Sequence, residues 1–161
     1  MSTHTFESLC LGLCDIAQVP RIALDTGPQG SIAFHLKRKG VTVAVLHFPQ
    51  ACDDYAFLLF EFGAIPYDDP RAARIVLALL DCNFLVPDPW APAFGRNPFT
   101  GDAAVRSVYP LAAASPVELL QKIDIGVDLA LEWRRDYFLK QDAAGATDAR
   151  PAPGLPAESH A

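Results

Sequence analysis

Three carboxylates and a phenol, Asp53, Asp54, Tyr55 and Glu61, lie beside or within a very apolar run from Tyr55 to Phe62. A carboxylate desolvated in such a setting has a raised pKa and could act as a general base. The plainer reading makes Asp53-Asp54 a solvated turn and lets Glu61 end a strand, since charged side chains usually face water. Cys10 and Cys14 stand one helical turn apart, a spacing that also suits metal ligands, with His4, His35 or His47 as companions. No Cys-x-x-Cys pair accompanies them, and a free cysteine commonly serves as a small buried hydrophobe. The sequence contains no Gly-x-Ser-x-Gly elbow and no Gly-rich phosphate loop. The expectation is therefore a protein that is not an enzyme, with no catalytic residues, no metal and no cofactor.

The totals narrow the partners. A chain of 161 residues that is 51% apolar can bury one real core without disulfide or metal staples. Its net charge of -6 argues against nucleic acid, whose phosphates demand concentrated Lys and Arg, and against an anionic membrane surface. No apolar stretch is long enough to span a bilayer, so no membrane insertion is expected. The first residues include Glu7 and lack a basic leader, which points to a cytoplasmic protein.

The elements follow from hydrophobic period. Phe6, Leu9, Leu13 and Ile16 recur at spacings of three and four and predict a first helix ending before Pro20. From Ser31 the period becomes two, with Ile32, Phe34 and Leu36 on one face of a strand. Lys39-Gly40 turns the chain into a second strand, Val41 to Phe48. The third, Tyr55 to Phe62, is apolar on both faces, so it belongs in mid-sheet or presents one sticky face to a partner. Asp69-Pro70 is a favourable helix start. The helix that follows, to about Asn83, carries Ile75-Val76-Leu77-Ala78-Leu79-Leu80, six apolar residues in a row. Apolar side chains then point all around its axis, and one small core cannot cover them all, which predicts a homodimer. After Pro87, Pro89 and Pro92 come a strand near Ala93 to Arg96, a turn at Asn97 to Gly101 and a return strand, Ala103 to Tyr109. Ser115-Pro116-Val117-Glu118 forms a capping box for the longest helix, ending near Leu139, with Leu120, Ile123, Val127, Ala130 and Leu131 as its buried stripe. Residues 1–140 are expected to form the domain. Residues 141–161, rich in Ala, Pro and Gly without apolar period, are expected to be a disordered tail.

This α+β order, α-β-β-β-α-β-β-α with three helices on a twisted, mostly antiparallel sheet, resembles the class I type III secretion chaperones, the Tir-chaperone family. The resemblance runs from about Thr5 to Leu139. It is carried chiefly by Leu79-Leu80-Asp81-Cys82-Asn83 closing the middle helix, the Asn97 to Gly101 turn, and Tyr109-Pro110-Leu111 ahead of the last helix with Trp133. It implies a homodimer that binds the N-terminal, non-globular segment of a secreted effector protein in extended form, by apolar grooves and by sheet-edge hydrogen bonds. Carried onto this chain, the dimer contact would involve Ile75, Val76, Leu79 and Leu80, with Phe94 nearby. The effector grooves would involve Phe6, Leu9, Leu13, Ile32, Phe34 and Leu36, each of which can equally pack the chain's own core. Two other readings stay open: a small α+β enzyme or ligand-binding protein with an enclosed apolar pocket, and a chaperone-like regulator of a structured partner.

Overall fold

The computed structural model describes residues 3–21, 23–27, 30–84, 90–112 and 114–139. The expectation of a disordered tail at 141–161 falls outside these residues. The chain runs α1 (Thr3–Ala17), β1 (Asp25–Thr26), β2 (Ile32–Arg38), β3 (Val41–Phe48), β4 (Cys52–Ala64), α2 (Ala72–Phe84), β5 (Ala93–Arg96), β6 (Asp102–Pro110) and α3 (Pro116–Asp136). The six strands form one sheet in the order β1-β2-β3-β4-β6-β5, and every pairing is antiparallel. The α+β architecture with three helices is the expected one, with one addition. β1 is a two-residue polar strand paired to Ala33 and Ile32, too short to leave a periodic trace.

The period-two strands are sorted by face. Ile32, Phe34 and Leu36 of β2, Val41, Val43 and Val45 of β3, Ala56, Leu58, Phe60 and Phe62 of β4, and Ala103 and Val105 of β6 are all buried. Against them lie Phe6, Leu9, Leu13 of α1 and Leu119, Ile123, Val127, Ala130 and Trp133 of α3, so one core sits between the helices and a single face of the sheet. Leu119 takes the inward position expected of Leu120, which is only partly buried.

Local chemistry fixes the joints. Lys39 and Gly40 both have positive φ, the type I′ geometry that suits a two-residue hairpin between right-twisting strands. Ser115 caps α3 as expected, accepting from the Glu118 N–H at 3.2 Å, with Pro116 in the first turn. The helix stops at Asp136 rather than Leu139, because Tyr137 adopts the left-handed conformation and its N–H returns to the Trp133 carbonyl. Asp53 and Asp54 are not a turn. They belong to β4, which starts at Cys52 after a register shift between His47 and Phe48.

Two contacts set how near α3 comes to the sheet. A Cβ on Gly126 would fall 2.3 Å from the Phe60 ring, so the ring occupies the space a side chain would need. Arg134 donates to the carbonyls of Phe62, Glu61 and Gly40, satisfying the strand where β4 bulges between Glu61 and Gly63. Farther along, Arg38 pairs with Asp124 through both carboxylate oxygens and Lys39 reaches Asp128 at 2.8 Å, which ties the β2–β3 hairpin to α3.

Gly126→Ala should destabilise the chain despite alanine's better helix propensity, because overpacking costs about 1–3 kcal/mol against about 1 kcal/mol gained. A lower urea midpoint checks this, and Gly126→Ala combined with Phe60→Leu should recover most of it. The Arg38 hydrogen bond holds the Asp124 carboxyl below its usual range, so this group binds its proton less tightly folded than unfolded. Its stabilising contribution is thus complete above about pH 4, the unfolded carboxylate value, and fades as pH falls through the lower folded value. Thermal melts of Asp124→Asn should lose less on acidification below about pH 4 than those of the unaltered chain.

Candidate functional site

Among the described residues, no helix lies over the second face of the sheet. Antiparallel register brings Ala33, Leu46, Phe57 and Val108 into one row across β2, β3, β4 and β6, and Ala44, Leu59 and Arg106 into the next. Leu46, Phe57, Leu59 and Val108 are only half-buried, and Phe48 packs edge-on to Phe57 at 5.8 Å. The Arg106 guanidinium lies 5.5 Å from the centre of the Phe57 ring. With the β5–β6 hairpin as one wall, including Arg96 and the exposed Phe99, these side chains line an open groove of about 930 Å³. β4 itself is an inner strand, one of the two placements its doubly apolar sequence allows.

A second exposed apolar surface lies on α2. Asp69 caps the turn that starts the helix, accepting from the Arg71 N–H at 2.7 Å, and the Arg71 guanidinium holds its carboxyl down to about 2. Ile75 and Leu79 turn into the core, whereas Leu77, Leu80 and Phe84, at helical spacings of three and four, face solvent at 57%, 51% and 90% exposure. The orientation is fixed from the helix end. The Asn83 side-chain amide accepts from the Phe94 N–H at 2.7 Å and donates to the Phe94 carbonyl at 3.0 Å, so it pairs with the outer edge of β5 as another strand would. The Phe94 ring turns inward against Phe62 and Phe138.

Of the five residues assigned to a dimer contact, Leu80 is exposed; Ile75 and Leu79 are core, and Val76 and Phe94 are partly buried against it. Leu77 and Phe84 were missed, although their positions opposite Ile75 and Leu79 on a helical projection mark them. The six residues assigned to effector grooves, Phe6, Leu9, Leu13, Ile32, Phe34 and Leu36, are all buried between α1 and the sheet. What this region offers to solvent is a smaller groove of about 450 Å³ whose rim includes Leu11 of α1 and Arg21, Ala23 and Leu24 of the following loop.

The residues weighed for catalysis are brought together only in part. His47 is fully buried beneath Phe6, its ring stacked at 5.0 Å, with Nδ1 3.2 Å from the Tyr55 carbonyl and Nε2 3.6 Å from Asp53 Oδ1. The imidazole is enclosed, while the Asp53 side chain remains partly exposed. Glu61 lies on the open face of β4 and Asp54 at its exposed start. Burial, with Cys14 and Glu7 adding to it, pushes the Cys10 thiol up to about 12, which keeps it protonated and unsuited to metal binding or attack. Among the described residues no three His, Cys, Asp or Glu side chains gather in a metal-binding cluster. Nor is any described helix long and apolar enough to cross a membrane.

No family model matches the chain, and no curated protein matches it by sequence. Solved structures do match in three dimensions. A chain of the ExsC–ExsE complex superposes with a TM-score of 0.64 at 16% identity, over 84% of this chain and 95% of the other. A chain from the complex of the Yersinia pestis type III secretion chaperone SycH with a stable fragment of YscM2 gives 0.54 at 13% identity, over 79% and 98%. The Pseudomonas aeruginosa ExoT–SpcS complex gives 0.53 at 14%, over 81% and 98%. The fold is that of the type III secretion chaperones. The likeness spans nearly the full length of those chains.

Asn83→Ala should free the outer edge of β5. We expect a loss of about 1 kcal/mol of stability, and hydrogen exchange at the Phe94 amide should quicken while the β4 amides keep their protection. Asn83→Asp should be no better, because a carboxylate can accept from the Phe94 N–H but cannot donate to its carbonyl.

Proposed function

We propose that this protein is a homodimeric cytoplasmic secretion chaperone, of the kind represented by the Tir-chaperone family, that binds the N-terminal non-globular segment of a type III secreted effector. The observation that carries this reading is the conjunction of a secretion-chaperone fold with a sheet whose second face is apolar and uncovered. The bound segment stays soluble because its apolar side chains are masked, and it stays unfolded because it is held extended. Affinity comes from buried apolar area and backbone hydrogen bonds, with no reaction catalysed. Arg106 and Arg96 add a positive rim to the face in an otherwise acidic chain.

Dimerisation uses α2. The stripe of Leu77, Leu80 and Phe84 is the exposed apolar surface that a two-fold contact between copies would cover. The partly buried Val76 flanks it, and Phe94 contributes through its place on β5 rather than through its ring. Ile75 and Leu79 support the helix from inside. The groove beside α1 supplies a further place for the effector segment, whose contacts are with Leu11 and Leu24, while Phe6, Leu9, Leu13, Ile32, Phe34 and Leu36 pack the core that supports α1. An enclosed-pocket reading finds less support, since the grooves described are open to solvent and the His47 imidazole is fully buried.

The test is capture of partners by the tagged chain from lysate of its own organism without ATP, followed by binding to fragments of each partner. Retention of an N-terminal fragment and loss of it with Phe57→Glu supports the reading; binding only to folded partner domains points to a regulator instead. Leu77→Glu with Leu80→Glu should give a folded monomer by sedimentation, and a dimer unchanged by both would place the contact away from α2.

A further inference from the structure

Two arginines on the second face of the sheet stand apart from the others. Arg21, Arg38, Arg71 and Arg135 each pair with an aspartate or a glutamate, and the Arg134 guanidinium is taken up by three carbonyls. Arg96 and Arg106 both line the open groove, and neither bonds a carboxylate among the described residues. Arg106 rests instead on the Phe57 ring, 5.5 Å from its centre. In a chain with 19 acidic and 13 basic residues, two groove arginines without acidic partners point to an anionic group brought by the occupant. An ion pair formed there, against apolar side chains and with water displaced, is stronger than one on open surface.

The occupant's conformation follows from what a sheet face lacks. The backbone groups of β3, β4 and β6 bond one another within the sheet, so a chain laid over their side chains finds no backbone partner there. Buried in extended form, such a chain would leave its own N–H and C=O groups unsatisfied along the contact. A helix closes those bonds within itself and turns an apolar stripe toward the sheet. The dimensions agree. β3 and β6 are two strand spacings apart, about 10 Å, which is the width of one helix. Along β4 the groove runs from Cys52 to Leu59, about 23 Å, or about four turns of helix. Arg96 lies across from Ala103, and from Ala103 to Arg106 is about 10 Å along β6. Two turns of helix rise about 11 Å, so carboxylates seven residues apart on one flank fall in line with both arginines.

We propose that the second face of the sheet takes an amphipathic α-helix from the bound segment, with its apolar stripe on Leu46, Phe57 and Leu59 and two flanking carboxylates, seven residues apart, on Arg106 and Arg96. The source of the helix rests on the chaperone reading, whereas the preference for an acidic amphipathic helix rests on this face alone. The exposed Phe99 of the β5–β6 hairpin walls the groove beside it. A few turns of helix are marginal once released from such a face, so the segment remains non-globular and easily unwound.

The test uses synthetic stapled helices of about four turns, with leucines at i, i+3, i+7 and i+10, glutamates at i+4 and i+11, and the staple on the outer side. The full chain should bind this peptide, with nitrogen-correlated NMR shifts at Leu46, Phe57, Leu59 and Arg106 and none at Leu77 or Leu80. Lysine in place of both glutamates should weaken binding about tenfold or more, and a central proline in place of the staple should abolish it. Arg96→Glu with Arg106→Glu should reverse the preference, so that the variant binds the lysine peptide more tightly than the glutamate peptide. Both positions are exposed, and unchanged α3 resonances show that the variant is folded. No binding, equal binding of the two peptides, or a preference that survives the charge reversal would overturn the proposal. An effector captured from lysate whose binding ignores the reversal would sink the helix inference and leave the chaperone reading standing. Capture of no effector, with charge-dependent helix binding intact, would do the opposite.

Discussion

The arrangement depends first on the contact between Phe60 and residue 126. Because Gly126 has no side chain, the ring of the central strand can sit directly against the backbone of α3, with room for no atom at the Cβ position. That closeness is what allows the rest of α3 to engage the sheet. One turn either side, Ile123 and Ala130 are sealed in the core, and two turns on Trp133 meets Phe62 at 5.8 Å. Arg134 then lies within reach of three strand and turn carbonyls, and Arg38 and Lys39 meet the acidic residues of the helix's outer flank. A helix held farther off could make neither set. The same economy recurs between helices, where Gly12 of α1 gives way to Pro116 of α3, whose ring would lie 2.6 Å from a Cβ.

Packing both long helices on one face leaves the other uncovered, and the middle strands show that this is not an accident of folding. A sheet with one wet face normally alternates apolar and polar residues, and β2 does so, with His35 and Lys37 exposed. The central strands depart from that rule: Leu46, Phe57, Leu59 and Val108 are apolar where water would favour polar groups. Leaving them uncovered forgoes roughly 25 cal/mol for each Å² not buried. That is the signature of a surface completed by something else. The half-burial of these side chains by one another and by Arg106 keeps the face tolerable in its absence.

Much of this was legible in the residues. Periodicity, turn residues and caps located five strands and three helices, and the apolar character of β4 on both faces left two placements open, mid-sheet or a face turned to a partner; β4 is an inner strand. β1 escaped because two polar residues carry no period. Asp53 and Asp54 looked like a turn because acidic pairs usually are one, but the register shift after His47 lets β4 begin before them. Alternation says that Ile32, Phe34 and Leu36 share a face; it does not say which layer lies over that face, and here the layer is the chain's own α1. The six-residue apolar run of α2 posed the same ambiguity more sharply. Which of its sides faces inward is decided by Asn83, whose amide must meet the Phe94 backbone eleven residues later, a tertiary fact that no local pattern encodes.

The two edges of the sheet are treated unequally, and this bears on where an extended partner can add. At β5 the outward N–H and C=O of Phe94 are already taken by Asn83, so a strand cannot be laid alongside there without displacing α2. At the other edge β1 covers only Ile32 and Ala33. Since the Gly27 N–H bonds the Ser31 carbonyl, antiparallel alternation turns the odd-numbered residues of β2 toward this edge, which places the backbone groups of His35 and Lys37 beyond the end of β1. Lys37 is the kind of side chain that keeps such an edge from pairing indiscriminately. A segment that satisfied those groups would continue the line of β1 and pass beside the groove between α1 and Leu24. Among the described residues, backbone pairing is thus most open at the α1 side of the sheet, while apolar burial without backbone pairing is available across its second face. A partner that used both would have to be extended at one end and free to change conformation at the other, which a folded domain cannot do and a non-globular segment can.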